Sequence, residues 1–432
     1  MTAATDEVRK PPPGHRRFPL LDGVRAIAAL SVVGVHISDA SGFSEREIIG
    51  QLGGRLNVGV TIFFVLSGFL LYRPFLAARV LGRPAPRTRR YFRRRALRII
   101  PAYWVALTLL WLVGWITFSG GAIGHYLFFD NLSSDAIVGS SGIAATWSLT
   151  VEVAFYIALP LIVAVTGKLS GRRLRTEIAL LTLLAVASLI GRLIAVLDDP
   201  GSPWSIQLPT MFAWFAGGMV LAALSVAEER DGSTPGFIRA AAARPVLVWT
   251  AAIAVYAFCA LGLDLPIGIE YSKVSDQPRI VKTAVGLFMR SLGEAIAIVL
   301  AVGFLSLGLR AGAVVALAAQ NVAQHVLFMV VAVLVTFPAV FGTTGRAPTR
   351  TDGVVGAALG NRVVSWLGLI SYGVFLWHQS FINELVYAHG WFIRVHFLPT
   401  VWLTLATLAF AITVGAASYY LVERPFLRLK ER

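Results

Sequence analysis

The sequence predicts an all-α, polytopic transmembrane helix bundle of about ten spans, and three observations predict it. Hydrophobic residues make up 56% of the 432-residue chain and charged residues 14%, with a mean hydropathy of +0.72, a balance outside the range of soluble globular domains. Apolar stretches long enough to cross about 30 Å of hydrocarbon, which takes roughly 20 helical residues, recur along the whole length. Basic residues gather in the short segments between them, as they do in cytoplasmic loops.

The apolar windows fall near 20–38, 56–76, 97–119, 146–166, 178–197, 207–226, 245–263, 281–308, 320–342, 363–385 and 399–422, giving ten or eleven spans. The basic N-terminal RKPPPGHRR, the arginine-rich segment between the second and third windows, GKLSGRRLR and the C-terminal ERPFLRLKER are expected on one side, so both termini are predicted to be cytoplasmic. No Lys or Arg occurs between Ala102 and Gly167, which suits an external loop followed by a returning helix. Two cytoplasmic ends require an even number of crossings. One window within 279–342, where Arg290, Glu294, Gln320 and Gln324 interrupt the apolar run, is therefore expected to be re-entrant or peripheral. The resulting organisation is a basic tail over 1–19, a membrane domain over 20–426 and a basic tail over 427–432, with the first apolar segment read as a retained helix because it lacks a clear small-residue cleavage site.

Several function classes fall away. The net charge of +15 is concentrated beside membrane spans, where anionic lipid and the insertion rule account for it, so nucleic acid is not an expected partner. A single cysteine, Cys259, rules out a disulfide framework or a cysteine-based metal site. There is neither a Walker loop nor an HExxH motif, and no metal is expected.

The chemistry-bearing residues lie inside the apolar windows. RAIAALSVVGVH places Arg25 and His36 eleven residues apart, which on a helix is about three turns and roughly 16 Å on nearly one face. Asp39, one turn beyond His36, is positioned to orient or charge-stabilise the imidazole. TWSLTVEVAFY sets Ser148, Glu152 and Tyr156 at intervals of four, one polar stripe on an apolar helix. A lone carboxylate within the membrane must be protonated or paired, and Arg25 or His36 are its natural partners. SYGVFLWH aligns Ser371 with His378, and Ser67 sits in the glycine-flanked run GVTIFFVLSGFLLY. The bland alternative for these serines is helix packing, where small residues are common. Seven arginines lie between Arg87 and Arg98, with Arg90, Arg94 and Arg98 on one helix face. Some are positive-inside anchors, but such a cluster also offers bidentate recognition of phosphate.

Together these motifs resemble the acyltransferase 3 family of integral-membrane O-acyltransferases. The resemblance rests on LDGVRAIAALSVVGVH, GVTIFFVLSGFLL, RRRALRIIPAYW, TWSLTVEVAFY, SYGVFLWH and ERPF, in that order from residue 20 to 426. It implies a ten-helix bundle in the cell's inner membrane that uses cytosolic acyl-CoA, with acetyl-CoA as the expected donor, to acylate a hydroxyl of a cell-envelope glycan, glycolipid or glycosylated metabolite. The hydrophobic window at 320–342 is a departure from ten helices.

Transfer from a thioester to an alcohol needs a base, and a neutral imidazole suits that task near neutral pH. His36 is assigned this role, with Asp39 or Glu152 fixing its tautomer and Arg25, Ser67, Tyr156 or a backbone amide stabilising the oxyanion. Arg90, Arg93, Arg94, Arg95, Arg98 and Tyr103 are the candidate contacts for coenzyme A. Ser67, Trp147, Ser148, Tyr156 and His378 are the candidate substrate contacts, with Phe63 and Phe64 near the acyl group. A competing class is a proton-coupled secondary transporter relaying through Arg25, His36 and Glu152, which would carry inverted halves with matching broken helices; no such pairing is visible. A non-catalytic scaffold would leave the polar motifs without purpose.

Overall fold

A computed structural model describes residues 16–44, 48–118, 121–129, 142–199, 203–232, 235–262, 312–342, 353–388 and 399–429. Every described element is helical. The long ones are α1 (Leu21–Ala40), α3 (Val58–Leu81), α4 (Thr88–Leu112), α6 (Trp147–Ser170), α7 (Leu174–Asp198), α8 (Leu208–Asp231), α10 (Pro245–Gly262), α11 (Gly312–Phe341), α13 (Arg362–Asn383) and α14 (Pro399–Ser418). Short helices α2 (Ile48–Gly54), α5 (Ala122–Tyr126), α9 (Gly236–Ala242), α12 (Gly353–Leu359) and α15 (Arg424–Arg428) link or end them. Among the described residues nine helices are long and apolar enough to cross a membrane, or up to ten if α12 and α13, bent by 49° at their break, form one span. Helix is the form such sequences must take, because lipid offers no partner for an open backbone N–H or C=O.

Each apolar window within the described residues coincides with a helix. Window 320–342 belongs to α11, a helix of 30 residues. Window 281–308, with Arg290 and Glu294, lies outside the described residues, as do the tail residues 1–15 and 430–432.

Burial shows which helices are central. The segments containing α3 and α8 are 72% and 83% buried, whereas α7 is 17% buried and turns Leu183, Ile190 and Ile194 outward. Helices α3 and α8 touch backbone to backbone: Gly68 lies against the carbonyl of Phe215 and Gly218 against that of Val65. A Cβ at either position would run into the opposite carbonyl, which is the close approach that small residues permit between membrane helices. Phe64 stacks on Phe215 at 4.5 Å, and Phe155 of α6 stacks on Phe215 at 4.1 Å.

On the other side of the bundle α1 and α13 run side by side in the same direction. The carbonyl of Asp22 meets Gly368 near their starts, and His36 meets His378 further along. Asn361 opens α13 as an N-cap, its side chain accepting from Val363 N at 2.8 Å. The ERPF segment continues from α14 and packs with α15 against the arginine-rich α4.

Candidate active site

One cavity gathers residues from α1, α3, α4, α6 and α13. Arg25 enters from α1; Phe63, Phe64 and Ser67 from α3; Arg95 and Arg98 from α4. Ser148, Glu152 and Tyr156 come from α6, and Ser371, Tyr372 and Phe375 from α13. Its volume is about 80 Å³.

Glu152 is the centre of this cavity's hydrogen bonding. The Ser67 hydroxyl donates to Glu152 Oε1, and the Tyr156 hydroxyl, one turn along the same helix, donates to the same oxygen at 2.5 Å. The Ser148, Glu152 and Tyr156 stripe therefore faces the interior as its spacing requires. Arg25 donates from Nη1 to Asp22 Oδ1 at 2.9 Å, an anion one turn back on its own helix. It shares the cavity with Glu152, whose hydrogen bonds come from hydroxyls.

The arginine-rich helix turns a different face inward from the one its spacing suggested. Arg90 and Arg93 are exposed and Arg94 is half-buried, whereas Arg95 and Arg98 line the cavity. Tyr91 sets this rotation, since its buried hydroxyl donates to the Tyr156 carbonyl at 3.0 Å. Arg95 follows one turn later, its guanidinium 5.8 Å from the Tyr156 ring centroid. Tyr91, Arg95 and Arg98 thus form the inner stripe. Tyr103, expected beside the donor, is instead buried against the loop side, donating to His125 O at 2.8 Å and stacking on Phe128 at 4.6 Å. Trp147 packs at the start of α6, partly buried against the core and outside the cavity lining.

The two histidines form a second polar centre beyond the cavity. The rings of His36 and His378 have centroids 5.3 Å apart and are inclined by 38°. His378 Nδ1 lies 2.9 Å from Phe375 O and 3.1 Å from Val374 O. Carbonyl oxygens only accept, so Nδ1 carries the proton. Asp39 is exposed and lies towards Ser44 and Arg55; no hydrogen bond or ion pair joins it to His36 among the described residues. Neither histidine lines the cavity, but both stand on helices that do: α1 brings Arg25 to the cavity and His36 to the pair, and α13 brings Ser371 and Phe375 to the cavity and His378 to the pair.

Sequence reasoning missed Tyr372, whose hydroxyl donates to Ile99 O at 3.0 Å and which closes the cavity between α4 and α13. A tyrosine beside Ser371 in SYGVFLWH was the available signal. The oxygens that orient His378 are the backbone carbonyls of Val374 and Phe375, which no side-chain pattern in the sequence marks. No group of three or more metal-binding side chains occurs among the described residues.

Residues 18–420 match the family model of the acyltransferase 3 family, described as an acyltransferase domain. The chain is similar to YrhL of Bacillus subtilis (strain 168), whose name assigns it provisionally to peptidoglycan O-acetylation, with 32% identity over 43% of this chain and 30% of YrhL. It is similar to the acyltransferase MdmB of Streptomyces mycarofaciens, with 30% identity over 38% of this chain and 43% of that protein. The peptidoglycan O-acetyltransferase OatA of Listeria monocytogenes is 28% identical over 34% of this chain and 24% of OatA. These matches span less than half the length of each relative. No solved structure gives a significant match. Matched by its model across nearly the whole length of a bundle whose helices bring these motifs together, the chain belongs to the acyltransferase 3 family.

Proposed function

We propose that this chain is a multi-pass membrane O-acyltransferase of the inner membrane. It moves an acyl group from cytosolic acyl-CoA, with acetyl-CoA as the expected donor, to a hydroxyl of a cell-envelope glycan, glycolipid or glycosylated metabolite. His36 is the general base. The observation that carries the reading is the shared use of α1 and α13: one stretch of each lines the cationic cavity and a later stretch holds the histidine pair. A donor entering past Arg95 and Arg98 and running along Arg25 reaches His36 after roughly 16 Å of helix.

The cavity suits the donor better than the acceptor. Its volume of about 80 Å³ is about half the roughly 150 Å³ that takes up one benzene molecule, so it holds no sugar ring, and the case for the donor rests on its charge. Three guanidiniums, those of Arg25, Arg95 and Arg98, face this space with one carboxylate, Glu152. Guanidinium groups bind phosphate oxygens through paired, charge-assisted bonds. The acceptor hydroxyl then meets the thioester at the histidine end.

In the reaction the acceptor's O–H bond breaks as its oxygen bonds to the acyl carbon, and His36 takes the proton. The C–S bond breaks as the tetrahedral intermediate collapses, and the proton returns to the departing thiolate. Each hydroxyl has a single proton to donate, and those of Ser67 and Tyr156 are engaged on Glu152. The oxyanion forms at the histidine end, roughly 16 Å of helix beyond Arg25, and draws on a backbone N–H donor there.

Purified protein in lipid nanodiscs, supplied with radiolabelled acetyl-CoA and envelope glycolipid extract, tests the reading. The wild type acetylates a glycolipid, and His36→Ala remains folded while losing about 10²- to 10⁴-fold in rate. Near-normal turnover in His36→Ala removes this base from the mechanism.

A further inference from the structure

His378 is fully buried, and its Nε2 has no hydrogen-bond partner among the described residues. Its Nδ1–H is held by Phe375 O and Val374 O, so the ring cannot turn to place Nε2 elsewhere without abandoning those bonds. A proton on Nε2 would make the ring a buried cation with an unsatisfied donor, which burial strongly disfavours. Nε2 is thus a fixed lone pair, aimed into protein and awaiting a donor. Leaving such a group unpaired costs stability.

The rings in contact with that of His378 are those of His36 and Phe375, and of these two only His36 carries an N–H; it makes no hydrogen bond to a described residue. Two imidazoles joined by an in-line N–H···N bond, with the nitrogens about 3 Å apart, have their centroids close to the observed 5.3 Å. Completing that bond requires rotation of the half-buried His36 ring about its own side-chain bonds. Asp39, exposed and directed towards Ser44 and Arg55, does not compete for it.

We propose that His378 is the positioning residue for His36: its Nε2 accepts the N–H of one His36 ring nitrogen, which fixes the tautomer and aims the lone pair of the other nitrogen at the acceptor hydroxyl. The chain of bonds runs from the carbonyls of Phe375 and Val374 through His378 to His36. It does for this base what a carboxylate does in a hydrolase triad, with a neutral partner that places no second charge inside the membrane. When His36 takes the hydroxyl proton, the imidazolium keeps its N–H bond to Nε2 and His378 stays neutral. The inference rests on His36 acting as the base, but its structural half stands apart from activity.

Solid-state NMR of protein labelled with ¹⁵N in the histidine rings, reconstituted in lipid, reads it directly. His36 is assigned by its loss in His36→Gln. In the wild type the His36 nitrogens show one tautomer with a hydrogen-bonded N–H; in His378→Phe they show a mixture; in His378→Gln, whose amide oxygen offers a replacement acceptor, the single tautomer returns in part. In parallel, acetyl transfer falls about 10- to 100-fold in His378→Phe with the KM for acetyl-CoA unchanged, and His378→Gln recovers part of the loss. A His36 spectrum identical in wild type and His378→Phe overturns the proposal whatever the activity. A single His36 tautomer in a protein that transfers no acyl group overturns the transferase reading and leaves the histidine pair intact.

Discussion

The Ser67 hydroxyl donates to Oε1 of Glu152 across 85 residues of sequence, joining α3 to α6 at a carboxylate that Tyr156 also holds. Two donors on one oxygen make Glu152 a fixed part of the cavity wall, and they account for its place in a membrane helix. Glu152→Ala removes the acceptor and leaves two hydroxyls without a partner, at about 1–3 kcal/mol for each buried donor. Glu152→Gln keeps an oxygen in the same place. Thermal unfolding in detergent is expected to show a clear loss for Glu152→Ala and recovery of most of it in Glu152→Gln. Equal losses would show that the charge, rather than the acceptor, holds this site together.

Arg95 and Arg98 face the cavity, and Arg90 and Arg93 face outward. The double variant Arg95→Ala/Arg98→Ala should weaken acetyl-CoA binding at least tenfold. The effect should shrink as salt rises, because a partly exposed anion site is screened. Arg90→Ala/Arg93→Ala should leave affinity within about twofold. Isothermal titration at two salt concentrations separates the pairs, and equal behaviour would move the donor site away from this helix face.

The fold was legible because apolar length alone specifies membrane helices, and every described window became one. The Ser148, Glu152 and Tyr156 stripe was legible too, since a polar face on a lipid-facing helix has nowhere to point but inward. The face of α4 was not. In a run with seven arginines almost any pair of positions shares a face, and the deciding contact, Tyr91 on the Tyr156 carbonyl, is a tertiary bond with no trace in local spacing. Asp39 failed to find His36 for a related reason: proximity by one helical turn gives opportunity, and at the end of α1 solvent, Ser44 and Arg55 offered the carboxylate better surroundings. The meeting of His36 with His378 depends on α1 and α13 running parallel, which no local pattern states.

The glycine contacts of α3 and α8 predict a packing defect. Gly68→Ala and Gly218→Ala each drive a Cβ into an opposing carbonyl, and relief requires the two most buried helices to separate. Overpacking typically costs about 1–3 kcal/mol, and a backbone obstacle puts these at the upper end or beyond. Gly191→Ala, whose Cβ would meet nothing within 4 Å, is the control. Melting temperatures in detergent should fall for the first two and hold or rise for the third. An unchanged Gly68→Ala would mean that α3 and α8 stand further apart than the carbonyl contacts of Gly68 and Gly218 require.

Glu177 of α7 is 1% exposed and takes bonds from Arg79, Tyr72 and Ser170, which ties the end of α3 to α6 and α7. Arg79 is 22% exposed, so the two partners do not suffer equally when parted. Without Glu177 the arginine can extend its head towards water. Without Arg79 the carboxylate stays buried with two hydroxyls and no cation, and breaking a buried pair in this way typically costs about 3–5 kcal/mol. Arg79→Ala should therefore destabilise more than Glu177→Gln. The double variant Arg79→Ala/Glu177→Gln should be more stable than Arg79→Ala alone, since the stranded charge is gone while Tyr72 and Ser170 keep an amide oxygen to bond. Such a sign reversal is the mark of direct coupling between the two sites. Apparent melting temperatures of the four proteins in one detergent measure it, and strictly additive losses would show that Arg79 stabilises the bundle through its packing instead of its charge.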